Sequence, residues 1–280
     1  MSRVVIVGSG GVGSATAYAL TYIDRVREVV LVDRNKESAY GEAMDIYHGF
    51  AGISTTTVRE GEYDDCWDAD VIVITAGRNR KPGESRNDLI EENQKIMQSI
   101  MDNIYPFYNN AFVIIVSNPV DKLTEYVVKQ GFIHREKICG TGCMIDTSRW
   151  IAQLSKYLNV SNSRIKGFAI GEHGENQQML WDMVTVDNIP IDEYCRQYEI
   201  EWNEEIRGAM HDTVKNMGAE IIKRKGRTQY GIATTVAYLI KCLLGNEKVM
   251  VSVGVPDINN DGIVVSRLVY IGSGKILEVL

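Results

Sequence analysis

The sequence predicts an α/β protein in which a doubly wound parallel sheet is followed by an α+β domain. Three observations support this prediction. In the first half, apolar segments of strand length alternate with amphipathic segments of helix length, which is typical of a parallel sheet wrapped by helices. After residue 141 the alternation ends and longer helical segments dominate. No internal repeat or low-complexity linker separates the two halves, so we expect them to pack on each other.

The first half contains four predicted strands and four predicted helices. Each strand is a short run rich in β-branched and other apolar residues, and each helix repeats apolar residues every three or four positions. Pro119 is predicted at the first position of the fourth helix, where its missing N–H costs nothing. The strands are residues 4–7, 29–32, 71–75 and 111–117, and the helices are residues 14–24, 36–50, 88–108 and 120–129.

The second half is predicted to form a separate domain. Its boundary with the first falls at residue 141, giving domains 1–141 and 142–280. The elements of this domain are helix 146–158, strand 165–170, a long helical stretch 192–225, helix 232–244, and short strands around Val249, Val264 and Ile276.

The composition is that of an ordinary globular chain, with 45% hydrophobic and 24% charged residues among 280. Against 30 basic residues stand 37 acidic ones, and the net charge of −7 disfavours binding to nucleic acid or anionic lipid. No apolar run approaches the about 20 residues that span a bilayer, and no signal-peptide core begins the chain. We therefore expect a cytoplasmic protein that binds neither nucleic acid nor membrane. Its five cysteines form no Cys-x-x-Cys pair and are expected to be reduced.

A glycine pattern after the first predicted strand points to a dinucleotide. Gly8, Gly10 and Gly13 form G-x-G-x-x-G between a strand and a helix, a pattern that by itself is as typical of a tight turn without ligand. Asp33 ends the second strand, where a carboxylate accepts hydrogen bonds from a ribose 2′-hydroxyl. Together they predict a Rossmann-type domain that prefers NAD to NADP, because a carboxylate repels a 2′-phosphate. The adjacent Arg34 is the one residue here that favours NADP instead, because an arginine can bind a 2′-phosphate.

Two further segments indicate a small anionic substrate. Residues 76–86 carry four cations and follow a strand at the carboxyl edge of the sheet, where α/β folds bind ligands. His173 stands between glycines just after strand 165–170, while Asp146 and Arg149 supply a carboxylate to orient it and a guanidinium to hold an acid group. A solvated loop and a structural histidine are the alternative interpretations.

These motifs resemble those of the L-lactate/malate dehydrogenase family over essentially the whole chain. The matching segments occur in the same order as in that family. They are residues 8–13 with Asp33, 80–86, 117–121, 146–149 and 171–174.

The resemblance implies an NAD-dependent oxidoreductase that interconverts a small L-2-hydroxy acid and its 2-oxo acid. It implies that His173 is the general acid/base, that Asp146 pairs with it, and that Arg86 polarises the reacting carbonyl. It also implies a homodimer or homotetramer, with no metal. The implied substrate-binding residues are Arg80, Arg149, Asn118 and Thr228, and the implied cofactor-binding residues are Gly8, Gly10, Val12, Gly13, Asp33, Ala76, Gly77 and Asn118.

The choice of substrate depends on one loop position. In the family, an arginine at the position of Arg80 goes with malate and a glutamine goes with lactate, and Arg80 would face a methyl group without counter-charge if pyruvate were bound. Malate and oxaloacetate are therefore favoured. Glu84 and Thr228 match lactate enzymes instead, so L-lactate or a bulkier 2-hydroxy acid stays an alternative.

Two rival functions belong to other classes. A non-catalytic NAD-binding descendant is opposed by the presence of His173, Asp146, Arg149 and Arg86. An NAD- and metal-dependent glycosidase is opposed by Ser117, which stands where such an enzyme would carry a metal-binding cysteine. The chain ends at Leu280, where the family continues into a C-terminal helix, and we expect that helix to be missing.

Overall fold

The computed structural model of the protein describes residues 2–78, 85–174, 176–257 and 262–280. Within these residues, eleven strands form one sheet and three form a second, smaller sheet. The strands are β1 (Ser2–Val7), β2 (Val26–Val32), β3 (Thr57–Glu60), β4 (Val71–Ile74), β5 (Phe112–Ile115), β6 (Ile138–Gly140), β7 (Ile165–Lys166), β8 (Ala169–Gly171), β9 (Gln177–Met179), β10 (Thr185–Val186), β11 (Ile189–Pro190), β12 (Val249–Pro256), β13 (Val264–Gly272) and β14 (Lys275–Val279). The helices are α1 (Gly11–Leu20), α2 (Lys36–Phe50), α3 (Arg86–Ile104), α4 (Val120–Gln130), α5 (Met144–Leu158), α6 (Ile191–Gln197), α7 (Glu204–Lys225) and α8 (Tyr230–Leu243).

The first six strands form the parallel half of the large sheet. Their order is β3-β2-β1-β4-β5-β6, and every neighbouring pair among them is parallel. This is the strand order of a doubly wound dinucleotide-binding domain, so the predicted fold class is confirmed. β4 and β5 are buried along their whole length, because helices cover both faces of such a sheet. The carboxyl ends of these strands meet at one edge and position the residues that follow them.

The second half continues the same sheet. β6 pairs with β12 through Gly140 and Gly254, and β13 then pairs with β12, β8 and β14, always in the antiparallel sense. A separate apolar core lies among α5, α6 and α7 and includes Trp150, Leu154 and Val214. The two halves therefore pack as one continuous structure, as the absence of a linker in the sequence predicts.

Two predicted elements of the second half are wrong. Segment 165–170 is not one strand, because the chain crosses at Gly167 from β7 in the small sheet to β8 in the large one. The helical stretch 192–225 is broken into α6 and α7. The break has a local cause: Glu199 adopts a positive φ of 54°, and Asn203 caps α7 by accepting a hydrogen bond from the Ile206 N–H at 3.0 Å.

Smaller differences concern element ends and short strands. Pro119 is the N-cap of α4 in an extended conformation rather than its first helical residue. The sequence gives no strong signal for β3, in which only Val58 is buried, or for β6, which has three residues. α1 begins at Gly11, three residues before the predicted start, because the glycine loop itself turns directly into the helix.

No helix in the described ranges is long and apolar enough to cross a membrane. All five cysteines are free and buried, and burial raises the pKa of the Cys66 thiol to about 12. These thiols are therefore protonated packing groups.

Candidate active site

The glycine loop between β1 and α1 has the shape that a dinucleotide requires. Gly8 has a φ of +107°, and a Cβ atom there would lie 2.6 Å from the Ala76 nitrogen. A Cβ atom at Gly13 would lie 1.8 Å from the Gly8 carbonyl oxygen, whereas nothing lies within 4 Å of one at Gly10. Gly8 and Gly13 thus let strand, loop and helix approach closely, and Gly10 leaves open space in front of the helix N-terminus, where backbone N–H groups attract an anion.

Asp33, directly after β2, has a fixed carboxylate. Its Oδ2 accepts a hydrogen bond from the Ser9 N–H at 2.7 Å, and its Oδ1 accepts one from the Asn35 N–H at 2.9 Å. A carboxylate has about four acceptor positions, so acceptors remain for the hydroxyls of a ribose. The loop, the open space and this carboxylate together fit a dinucleotide.

A buried asparagine that the sequence analysis missed joins two segments of the predicted site. Asn93 on α3 is 1% exposed. Its Oδ1 accepts a hydrogen bond from the Arg78 N–H at 3.0 Å, and its Nδ2 donates to the carbonyl oxygens of Arg78 at 3.1 Å and Asn118 at 2.7 Å. The segment containing Ala76 and Gly77 is thereby held beside Asn118. The signal for it in the sequence is a polar residue on the apolar face of an amphipathic helix.

Residues of both halves line one cavity of about 400 Å³. It brings together five of the predicted site residues, which are Val12, Asn118, Arg149, His173 and Thr228. Asp33 and Gly8 lie outside this cavity lining. A volume of this size accommodates a small acid together with part of a larger ligand.

The cavity wall contains a histidine that is hydrogen-bonded to a buried carboxylate outside the cavity lining. His173 Nδ1 lies 2.6 Å from Asp146 Oδ2, and Arg149 Nη1 donates to Asp146 Oδ1 at 3.0 Å. Asp146 is 1% exposed, so its charge is compensated by these two groups rather than by bulk water. α5 positions this cluster, because Asp146 and Arg149 are three residues apart and share one helix face.

The orientation of His173 is fixed by its backbone as well. The chain leaves β8 at Gly171, with a φ of +93°, and passes Gly174, with a φ of +98°. Asp121 on α4, a residue that the sequence analysis did not single out, accepts a hydrogen bond from the His173 N–H at 2.9 Å through Oδ2. His173 is therefore held from both halves of the protein, its backbone by Asp121 and its imidazole by Asp146.

Electrostatics tune the imidazole of His173. Burial by itself lowers the pKa of His173, but the hydrogen bond and negative charge of Asp146, with Asp121, outweigh it and raise this pKa above its usual value. Burial raises the pKa of the Asp121 carboxyl. The raised pKa means that this imidazole keeps its proton to a higher pH than a free histidine does, which suits a group that must act as an acid.

Some predicted residues fall outside what the structure describes. Arg80 and Glu84 lie in segment 79–84, which is not among the described residues. Arg86 is the first residue of α3, but its side chain is likewise outside the description.

The glycine loop, Asp33 and the histidine cavity fit an NAD-dependent oxidoreductase. Both halves of the chain match family models, residues 2–140 that of the lactate/malate dehydrogenase NAD-binding domain and residues 143–278 that of the lactate/malate dehydrogenase alpha/beta C-terminal domain. The chain belongs to the lactate/malate dehydrogenase family. The predicted resemblance and the predicted cofactor, NAD, are thus confirmed.

Several similar proteins are named L-lactate dehydrogenase. The L-lactate dehydrogenase of Clostridium botulinum (strain Loch Maree / Type A3) is 36% identical over 271 residues, which is 97% of this chain and 84% of that protein. The L-lactate dehydrogenase of Acetivibrio thermocellus is 35% identical over 254 residues, 90% of this chain and 80% of that protein. The minor L-lactate dehydrogenase of Enterococcus mundtii, solved with ligands bound, superposes with a TM-score of 0.93 at 32% identity, covering 100% of this chain and 90% of that one.

Proposed function

We propose that the protein interconverts L-lactate and pyruvate, with His173 as the general acid/base. The observation that carries this proposal is the His173–Asp146–Arg149 cluster, in which one buried carboxylate holds both an imidazole and a guanidinium in a shared cavity. The names of the similar proteins support lactate as the substrate.

The imidazole transfers one proton in each direction. When bound, the nicotinamide of NAD accepts or supplies the hydride. His173 Nδ1 is engaged by Asp146, so Nε2 is the ring nitrogen that remains to exchange a proton with the substrate oxygen. Neutral His173 takes the hydroxyl proton of lactate as base, and protonated His173 returns it to the oxygen of pyruvate as acid. Asp146 fixes the tautomer and stabilises the imidazolium.

Arginines bind the substrate in this proposal. Arg149 has a planar fork that matches a carboxylate in two parallel hydrogen bonds, and its bond to Asp146 uses only Nη1. Arg86 is proposed to polarise the carbonyl, where negative charge grows during reduction. Asn118 and Thr228, both in the cavity wall, are proposed to position the substrate.

Malate is the second candidate substrate, and two cations favour it. Arg80 is the residue from which the sequence predicts malate, and Lys225 lines the cavity with its ammonium 4.2 Å from the centre of the Tyr230 ring. Met217 and Ile221 of α7 line the same cavity and suit a methyl group instead. Lactate is the proposal because Thr228 and the names of the similar proteins agree on it.

A comparison of two substrates tests this choice. With NADH, kcat/KM should be higher for pyruvate than for oxaloacetate, and a clear preference for oxaloacetate would reassign the protein to malate.

Arg80→Gln should cost oxaloacetate about 2–5 kcal/mol of transition-state binding, by analogy with the loss of one partner of a buried charge pair. Pyruvate should lose little, so the ratio should move towards pyruvate by about two to three orders of magnitude. An equal change in kcat/KM for both substrates would show that Arg80 does not determine which substrate the enzyme prefers.

The roles of the cofactor-binding residues are a separate proposal. We propose that Gly8, Gly10, Gly13 and Val12 face the pyrophosphate and its flanking groups, and that Ala76, Gly77 and Asn118 line the path towards the nicotinamide.

The change Asp33→Ser tests the adenosine end of this placement. The variant should bind NADH more weakly and discriminate less against NADPH, because it loses both the ribose acceptor and the charge that repels a 2′-phosphate. Dissociation constants for NADH and NADPH, measured by fluorescence titration, check this. An unchanged NADH affinity would show that Asp33 does not contact the ribose.

Three other expectations remain predictions. We propose that residues 1–141 form the NAD-binding domain and residues 142–280 the substrate domain. A homodimer or homotetramer is expected, and the exposed aromatic side chains of α1, α2 and α8, among them Tyr18, Tyr40 and Tyr238, suit such an interface. A cytoplasmic location is expected as well.

A further inference from the structure

Arg227 lies against the glycine loop, although it belongs to the turn between α7 and α8. A Cβ atom at Gly11 would lie 3.1 Å from Arg227 Nε and 3.2 Å from its Cζ. Gly11 is the first residue of α1. The second half of the chain thus places a guanidinium at the N-terminus of the helix that opens the dinucleotide site.

The position is electrostatically unfavourable unless an anion is bound. A helix N-terminus carries roughly half a positive charge, and α1 has no acidic residue in its first turn and no side-chain cap among the described residues. Arg227 donates from Nε to the neutral amide oxygen of Gln229 and makes no ion pair within the described ranges. Two positive centres, the Arg227 guanidinium and the N-terminus of α1, therefore face each other.

We infer that Arg227 binds the pyrophosphate of the dinucleotide, together with the N–H groups of α1. This inference rests on the proposed placement of NAD on the glycine loop. Bidentate binding of phosphate oxygens suits a planar guanidinium, and the open space at Gly10 is where those oxygens would lie.

The contact of Arg227 with the glycine loop also bears on the substrate pocket. Thr228, the next residue, lines the cavity that contains His173 and Arg149. An ion pair between Arg227 and the pyrophosphate would hold the α7–α8 turn against the glycine loop, so the bound cofactor would help to position one wall of the substrate site.

Binding measurements without substrate test the inference. Calorimetric titration with ADP-ribose, which contains the pyrophosphate, should give a dissociation constant about tenfold to a hundredfold larger for Arg227→Gln than for the unmodified protein. Adenosine, which has no phosphate, should bind both equally. The salt dependence of ADP-ribose binding should also weaken in the variant, since one ion pair is lost. Arg227→Lys, which keeps the charge but not the fork, should lie between the two.

The control is Arg224→Gln. Arg224 lies on the last turn of α7 and is exposed, but it pairs with Glu220 on its own helix, so its variant should bind ADP-ribose normally. An unchanged ADP-ribose affinity in Arg227→Gln, or an equal loss of adenosine binding, would overturn the inference. Asp33→Ser separates this from the placement of the dinucleotide: it should weaken adenosine and ADP-ribose alike, and if it weakens neither, the placement itself is wrong.

Discussion

His173→Asn is expected to lower kcat by about 10²–10⁴-fold, the usual contribution of a positioned acid/base group, while NADH binding stays nearly unchanged. Asparagine retains a polar side chain of similar reach, and its amide still meets Asp146. It cannot accept and return a proton near neutral pH, so the proton transfer that must accompany hydride transfer loses its carrier. Steady-state rates with pyruvate and a fluorescence titration with NADH measure the two effects separately.

The matched control is His134→Asn, which changes an exposed histidine in the segment before β6. It should leave both turnover and NADH affinity unchanged. A loss of NADH affinity in His173→Asn as large as the loss of rate would instead indicate a histidine that only supports the fold. It would then favour the non-catalytic alternative.

The site residues that the sequence predicts are those that belong to local patterns. Gly8, Gly13 and Asp33 are recognisable because a strand, a tight turn and a helix impose their spacing on the chain. Asp146 and Arg149 are three residues apart on one helix, so any helix there places them on one face. Their roles came from the resemblance to a family, and the structure adds that His173 is hydrogen-bonded to Asp146 and shares its cavity with Arg149.

Residues that act across the fold were not predictable in this way. Asp121 contacts the His173 backbone from 52 positions away, and Asn93 joins Arg78 and Asn118 across 15 and 25 positions. Nothing in the neighbouring sequence reveals such contacts, because they depend on which strands lie side by side. The same reason explains the error at residues 165–170, where the two ends of an apolar segment pair with different sheets.

Gln177 adds a third group to the carboxylate of Asp146. With its amide nitrogen directed towards Asp146, Gln177 Nε2 lies 3.0 and 2.9 Å from the two carboxylate oxygens, and the residue is 2% exposed. His173, Arg149 and Gln177 thus all donate to one buried carboxylate. A carboxylate held by three hydrogen bonds keeps a fixed orientation, which is what the orientation of the imidazole requires.

Asp146→Asn should therefore lower kcat strongly, again by about 10²–10⁴-fold. The neutral amide keeps the size of the side chain but removes the charge that stabilises the imidazolium, and it can present its NH₂ group to His173 Nδ1 and so favour the wrong tautomer. In a serine-protease triad, the same exchange behind a catalytic histidine lowers kcat by about 10⁴-fold. Arg149 loses its ionic partner as well, so KM for pyruvate should change in addition to kcat.

The pH dependence distinguishes this role from a structural one. Asp146 raises the pKa of His173 against the opposing effect of burial, so its removal should lower that pKa. Reduction of pyruvate needs the imidazolium, and its rate should then begin to fall at a lower pH than in the unmodified protein. Oxidation of lactate needs the neutral ring, which would persist to lower pH.

Asp187→Asn is the control, because Asp187 forms an exposed ion pair with Arg164 and should change neither profile. If Asp146→Asn reduces kcat without moving either pH profile, Asp146 supports the fold of α5 but does not tune His173.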